Sequence, residues 1–324
     1  MREPGIREIR EAGLRIARFV HRTPVLTSST LDRMCGAELY FKCENFQKTG
    51  SFKIRGAASA VCLLQEKELE RGVATHSSGN FAAALSLAAR LRGAKAYLVM
   101  PESTPLIKRQ AVESYGGEIV LCRATLEARE AGLAAVVERT GAVFIHPYND
   151  FRVIAGQGTA ALELLEDVSG LDIIVAPVGG GGLVSGTAIA AAGASPGTAV
   201  VAAEPEKADD AYQSFQAGRI VPAGNPETIA DGLRTSLGSL TFAIIRKYVS
   251  CIVTVPEQGI VTAMRHLWER MKIVVEPSAA VPVAAVLKHP NLFKTKRIGV
   301  ILSGGNVDLE NLPWKPGPAP GSSL

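Results

Sequence analysis

A chain of 324 residues is long for one hydrophobic core and comfortable for two. With 47% hydrophobic and 20% charged residues, it lies far from the composition of disordered chains. The 35 basic and 31 acidic side chains leave a net charge of only +4, and no Lys/Arg block concentrates it, which argues against nucleic acid as a partner.

The first segment, IREIREAGLRIARFV, places Ile6, Ile9, Gly13, Ile16 and Val20 on one face and most of its charges elsewhere. This predicts an amphipathic helix, and the charges exclude a signal-peptide core. From Val73 the chain alternates strand-like and helix-like segments: VATHS, FAAALSLAARL, AKAYLVMP, LIKRQAVESYGG, EIVLC, TLEAREAGLAAVVERTG and AVFIHP. The rhythm resumes with DIIVAPV, LVSGTAIAAAG, TAVVAAEP, SCIVTV, QGIVTAMRHLWERM, SAAVPVAAVL and KRIGVILSGG. Strand cores without polar alternation favour parallel strands covered on both faces. The expected fold is therefore α/β with two open twisted sheets: a small domain over 72–148 and a large one built from 1–71 and 149–324. The 31 residues from Ile173 to Ala203 carry no charge, yet Pro177, Pro196 and four consecutive glycines interrupt them, so no membrane span is expected. The tail PWKPGPAPGSSL, from about residue 313, reads as a disordered end. Five cysteines, at 35, 43, 62, 122 and 251, form no CxxC and no disulfide framework, which points to the cytoplasm.

Three glycine-rich turns each end an expected strand: SSGN at 77–80, GGGG at 179–182 and SGGN at 303–306. Ligands of open α/β sheets gather at that edge. In DIIVAPVGGGGLVSG the strand stops, backbone without Cβ atoms follows, and a helix begins with unpaired N–H groups suited to an anion such as a phosphate. Neither GxGxxG nor a GxxxxGK[ST] loop is present. In KTGSFKIRGA, at 48–57, Lys53 stands among Ser51, Phe52, Ile54 and Gly56, and a lysine desolvated by such neighbours can act as a nucleophile or base.

Taken together, SFKIRGA, SSGN, AGQG at 155–158, PVGGGGL at 177–183 and LSGGN at 302–306 resemble the fold type II (tryptophan synthase β-like) pyridoxal-phosphate enzymes, and within them the serine racemase and threonine/serine dehydratase family. The resemblance runs from about Ile6 to Asp308. It implies that Lys53 binds pyridoxal phosphate as a Schiff base and serves as the base on one face of the substrate. It also implies that Phe52 and Asn80 hold the ring and its 3-hydroxyl, that Gly179, Gly180, Gly181 and Gly182 hold the phosphate, and that Ser303 bonds the pyridine nitrogen. Ser77, Ser78, Gly79, Asn80 and Phe81 would receive the substrate, with Ser78 as the acid/base on the opposite face. Ser78 also suits a helix cap.

The family usually carries His where Phe81 stands, so polar groups are removed from that region. Arg129 matches the arginine that meets a second carboxylate in dicarboxylic ligands, and His76 precedes the substrate loop. Without the resemblance, Arg129 reads as a solvated residue beside Glu127 and Glu130. Glu204, the Ala208 carbonyl and Asp210 match a divalent-cation site suited to Mg²⁺, or to Ca²⁺ or Mn²⁺. The implied activity is an ammonia-lyase acting on L-threonine or L-serine. The alternatives are serine racemase, 3-hydroxyaspartate dehydratase, and a non-catalytic amino-acid or cofactor binder. A homodimer without an appended regulatory domain is expected.

Overall fold

Strands such as Ile173–Pro177 and Arg297–Leu302 are apolar along almost their whole length, so they are stable only where both faces are covered. The computed structural model describes residues 2–77, 79–104 and 106–314, and it buries both segments side by side in parallel. Ten strands are described: β1 (Val25–Leu26), β2 (Glu38–Cys43), β3 (Val73–His76), β4 (Ala96–Pro101), β5 (Gly117–Cys122), β6 (Val143–Phe144), β7 (Ile173–Pro177), β8 (Ala199–Pro205), β9 (Cys251–Val255) and β10 (Arg297–Leu302). The larger sheet has the order β1-β2-β10-β7-β8-β9 and the smaller one β5-β4-β3-β6. Every pairing is parallel except that of β1 with β2. The two-sheet α/β fold expected from the sequence is what forms.

Strands β1 and β2 fall outside the expected set, because an alternation counted from Val73 leaves ELYFKC unassigned. Its lysine is the reason: Lys42 looks like a surface residue but is fully buried, its Nζ 2.6 Å from Glu163 Oε2 and 2.7 Å from the Thr23 carbonyl. The strand expected in AVFIHP shrinks to two residues. The N-terminal helix Ile6–Ile16 buries Ile9, Ala12 and Ile16 and lies against the helix Phe151–Asp167. The uncharged stretch from Ile173 becomes β7, a glycine turn, the helix Gly182–Ala194 and β8. Among the described residues, no helix is long and apolar enough to cross a membrane. All five cysteines are free.

One buried ionic cluster locates the future site. Arg55, fully buried, donates to both oxygens of Glu44 (2.7 and 2.8 Å) and both oxygens of Glu163 (2.7 and 2.8 Å). Lys42 completes a set of two cations and two carboxylates, so no net charge is stranded in the core. The cluster ties the helix Lys53–Val61, two residues from its start, to the end of β2 and to the helix Phe151–Asp167.

Candidate active site

The three glycine-rich turns follow the carboxyl ends of β3, β7 and β10. The segment before Lys53 is fastened to the last of them: Ser51 bridges Gly304, and the Phe52 N–H donates to the Ser303 carbonyl at 3.0 Å. Lys53 is thereby delivered to this edge as the first residue of its helix. Its half-buried amine lies 4.9 Å from the centre of the Phe52 ring and 6.0 Å from that of Phe81. Burial lowers its pKa to about 8, opposed only by the charge of Glu276. Phe81 itself is 2% exposed and belongs to the core under the smaller sheet, so it walls the amine from inside rather than facing an open cleft.

Between β7 and the helix Gly182–Ala194, the glycine turn is required sterically. Gly181 has φ of 87°, and a Cβ on Gly180 would fall 2.4 Å from the Tyr148 ring. Thr241 Oγ1 donates to the Gly180 carbonyl at 2.8 Å and anchors the turn from outside. A 13-residue helix thus opens on backbone N–H groups with no side chain between them and a ligand, which fits a phosphate.

Asn80 opens the helix Asn80–Leu91 and is held by the other side of the cleft. Its Nδ2 donates to both oxygens of Glu276 (3.0 and 3.1 Å), and its Oδ1 accepts from Asn306 Nδ2 at 3.0 Å. Asn306 Nδ2 also reaches the Thr49 carbonyl at 2.7 Å. Burial raises the Glu276 carboxyl to about 7, and Asp231 adds to the rise, while Asn80, Lys108 and the Asn306 N–H offset part of it. Glu276, Asn306 and Tyr148 escaped the sequence reading. Glu276 had a usable signal, being the only charge between Lys272 and Lys288.

After β3, the Ser77 N–H donates to the Val99 carbonyl at 3.2 Å, and the Gly79 N–H reaches Ser77 Oγ at 3.5 Å. A Cβ on Gly79 would meet nothing within 4 Å, so the turn borders open space. Ser78 lies outside the described residues. His76 stacks on Phe144 (6.0 Å) and meets His146 edge-on (6.2 Å), and His146 meets Tyr148 edge-on at 4.5 Å. His146 Nδ1 accepts from the N–H groups of Tyr148 and Asn149, so the ring is neutral, and burial followed by His76 lowers its pKa to about 4. Burial and then the nearby Arg129 charge lower the His76 pKa as well. Arg129 Nε reaches the Thr125 carbonyl at 3.3 Å, and among the described residues it forms no ion pair with Glu127 or Glu130.

The expected cation ligands come together at the end of β8. Glu204 is fully buried and accepts from the Ala211 N–H (3.0 Å) and the Tyr212 N–H (2.8 Å). Asp210 is 4% exposed, and neither of its buried oxygens has a well-formed hydrogen bond. Burial raises both carboxyls, Glu204 to about 9 and Asp210 to about 7. Among the described residues there is no cluster of three His, Cys, Asp or Glu side chains that suits a metal, so a cation here would also need the Ala208 carbonyl and water.

A family model described as pyridoxal-phosphate dependent enzyme matches residues 16–304. The beta-hydroxyaspartate dehydratase of Paracoccus denitrificans is 51% identical over 311 residues, covering 96% of this chain and 99% of that relative. The crystal structure of serine racemase from Dictyostelium discoideum superposes with a TM-score of 0.91 at 50% identity, covering 94% of this chain and 99% of that one. The structure of a maize serine racemase superposes with a TM-score of 0.93 at 47% identity, covering 95% of each chain. A threonine deaminase is also among the solved structures that superpose, with a TM-score of 0.90 at 46% identity, covering 94% of this chain and 99% of that one.

Proposed function

The chain belongs to the pyridoxal-phosphate dependent enzymes, and on that footing we propose that it is an ammonia-lyase converting a β-hydroxy L-amino acid into a 2-oxo acid and ammonia. The observation that carries this is Lys53, a half-buried amine lowered to about 8 at the edge where the three glycine turns meet. When bound, pyridoxal phosphate supplies an electron sink for the pair left on the α-carbon. The backbone of Gly179, Gly180, Gly181 and Gly182 would hold its phosphate, Ser303 would partner the ring nitrogen, and Phe52 and Asn80 would hold the ring. Lys53 Nζ, partly neutral at physiological pH, takes the α-proton. Loss of that proton with the β-hydroxyl removes one water. Hydrolysis of the resulting enamine consumes one water and releases ammonia, giving pyruvate from serine, 2-oxobutyrate from threonine or oxaloacetate from 3-hydroxyaspartate.

Arg129 directs the choice of substrate. Its guanidinium sits near His76, at the mouth of the substrate turn, without a carboxylate partner among the described residues. A second substrate carboxylate would supply one bidentately. We therefore place 3-hydroxyaspartate ahead of the serine and threonine expected from sequence, in agreement with the dehydratase relative. Serine racemase is the second reading, favoured by the relative from Dictyostelium discoideum and by the position of Ser78 in the motif. The test is to offer L-serine, L-threonine and L-threo-3-hydroxyaspartate to the cofactor-loaded protein and its Arg129→Ala variant, scoring oxo acid and D-amino acid. Loss of turnover with hydroxyaspartate alone supports the assignment, and equal losses on all three substrates overturn it.

We place a divalent cation, Mg²⁺ first and Ca²⁺ or Mn²⁺ as alternatives, at Glu204, Asp210 and the Ala208 carbonyl. The buried carboxylate of Asp210, whose oxygens have no well-formed hydrogen bond, supports it. We further read residues 72–148 as the small domain, carrying the substrate turn, and 1–71 with 149–324 as the large one holding the cofactor. A cytoplasmic homodimer completes the proposal, with five free cysteines consistent with a reducing compartment.

A further inference from the structure

Lys108 and Asp231 form an ion pair across the cleft. Lys108 comes from the helix Leu106–Ser114 in the layer of the smaller sheet, and Asp231 opens the short helix Asp231–Leu233 on the other side. That short helix lies directly on the phosphate turn, since a Cβ on Gly179 would fall 2.9 Å from Leu233 Cα and 3.2 Å from the Gly232 carbonyl oxygen. The Gly232 N–H donates to Ser278 Oγ at 3.2 Å, two residues beyond Glu276. The pair thus stands beside the carboxyl that holds Asn80, and its two charges act on Glu276 with opposite signs. Asp231 favours the protonated form and Lys108 the ionised one. The remaining groups facing Glu276 are the Lys53 amine, the Asn80 amide and the Asn306 N–H.

Ionisation matters because Asn80 Nδ2 can only donate. The carboxylate offers it two acceptor oxygens, as found here, whereas the protonated acid turns one oxygen into a donor. We propose that Lys108 and Asp231 are positioning residues which, through their charges on Glu276, govern how firmly Glu276 holds Asn80 and hence the start of the helix after the substrate turn. This rests on the reading of Asn80 as a residue of the cofactor site. A pair 35% and 44% exposed contributes little to folding, so its effect is electrostatic and local.

The experiment follows the Asn80 side-chain amide by ¹⁵N NMR against pH in asparagine-labelled, cofactor-loaded protein, the resonance being assigned by its loss in Asn80→Ser. Lys108→Met leaves Asp231 unopposed and is expected to move the titration midpoint up. Asp231→Asn leaves Lys108 unopposed and is expected to move it down, each by roughly half a pH unit, the size expected of one partly screened charge. Lys108→Arg keeps the parent midpoint, and the acid limb of kcat/KM moves up in Lys108→Met and down in Asp231→Asn. Shifts of the same sign in both variants, or none in either, overturn the proposal, as does an Asn80 amide insensitive to pH between 5 and 9. Opposite shifts in a protein that turns over no β-hydroxy amino acid uphold the pair's role while refuting the lyase assignment.

Discussion

Asn80 and Glu276 meet across the cleft through two hydrogen bonds of 3.0 and 3.1 Å, and the carboxyl involved is almost fully buried. One side supplies the residue after the glycine turn that follows β3, and the other supplies the acceptor that fixes it. Replacing Glu276 with Gln keeps the shape but leaves one acceptor and places an amide donor against the Asn80 amide. Hydrogen bonds to charged groups contribute about 1.5–3 kcal/mol, so pyridoxal-phosphate affinity is expected to fall by about tenfold or more in Glu276→Gln, measured by fluorescence titration of the cofactor-free protein.

Lys53 has a pH signature of its own. Only the neutral amine attacks a carbonyl, and burial brings the pKa down to about 8. Capture of pyridoxal phosphate by the cofactor-free protein is expected to accelerate about tenfold per pH unit below pH 7.5 and to level off above pH 8. A solvated lysine would keep accelerating toward its ordinary pKa of about 10.4. Stopped-flow absorbance distinguishes the two profiles.

The Arg55 cluster is the structural counterpart. Removing Arg55 leaves the buried Glu44 with only the Thr23 hydroxyl among its side-chain hydrogen bonds, and Glu163 with Lys42 alone. Arg55→Met is expected to lose about 3–5 kcal/mol of stability, read as a lower midpoint in urea. The loss arises because one partner has been removed from a set that balances only when complete.

Much of this architecture is legible in the chain. Apolar strand cores announce parallel strands, and the three glycine turns announce the ligand edge, because both depend on local chemistry. Lys53 is legible for the same reason, standing in SFKIRGA with apolar neighbours and a glycine three residues on. What escapes is non-local. Strand β2 is hidden because Lys42 reads as polar until its partner Glu163, 121 residues away, is known. Glu276 is hidden because its role exists only once Asn80, 196 residues earlier in sequence, is folded against it. Phe81 reads as a change at the substrate surface and lies instead in the core, where its ring faces Lys53.

The buried carboxylate of Asp210 makes the cation site testable without catalysis. Mg²⁺ at about ten times its dissociation constant stabilises a specific site by about 1.4 kcal/mol, which at this size corresponds to roughly 3 °C in the thermal midpoint. Asp210→Asn is expected to abolish that shift. An equal shift in the variant would place the cation elsewhere.

If Lys53 moves the α-proton of a β-hydroxy amino acid, one assay reads it directly. Cofactor-loaded wild-type protein and Lys53→Ala are each given L-threo-3-hydroxyaspartate, and ammonia and oxo acid are measured together. Stoichiometric release by the wild type, falling by at least about a thousandfold in Lys53→Ala, is the predicted result. Equal release by both proteins, or none by the wild type on this substrate, L-serine and L-threonine alike, would contradict it.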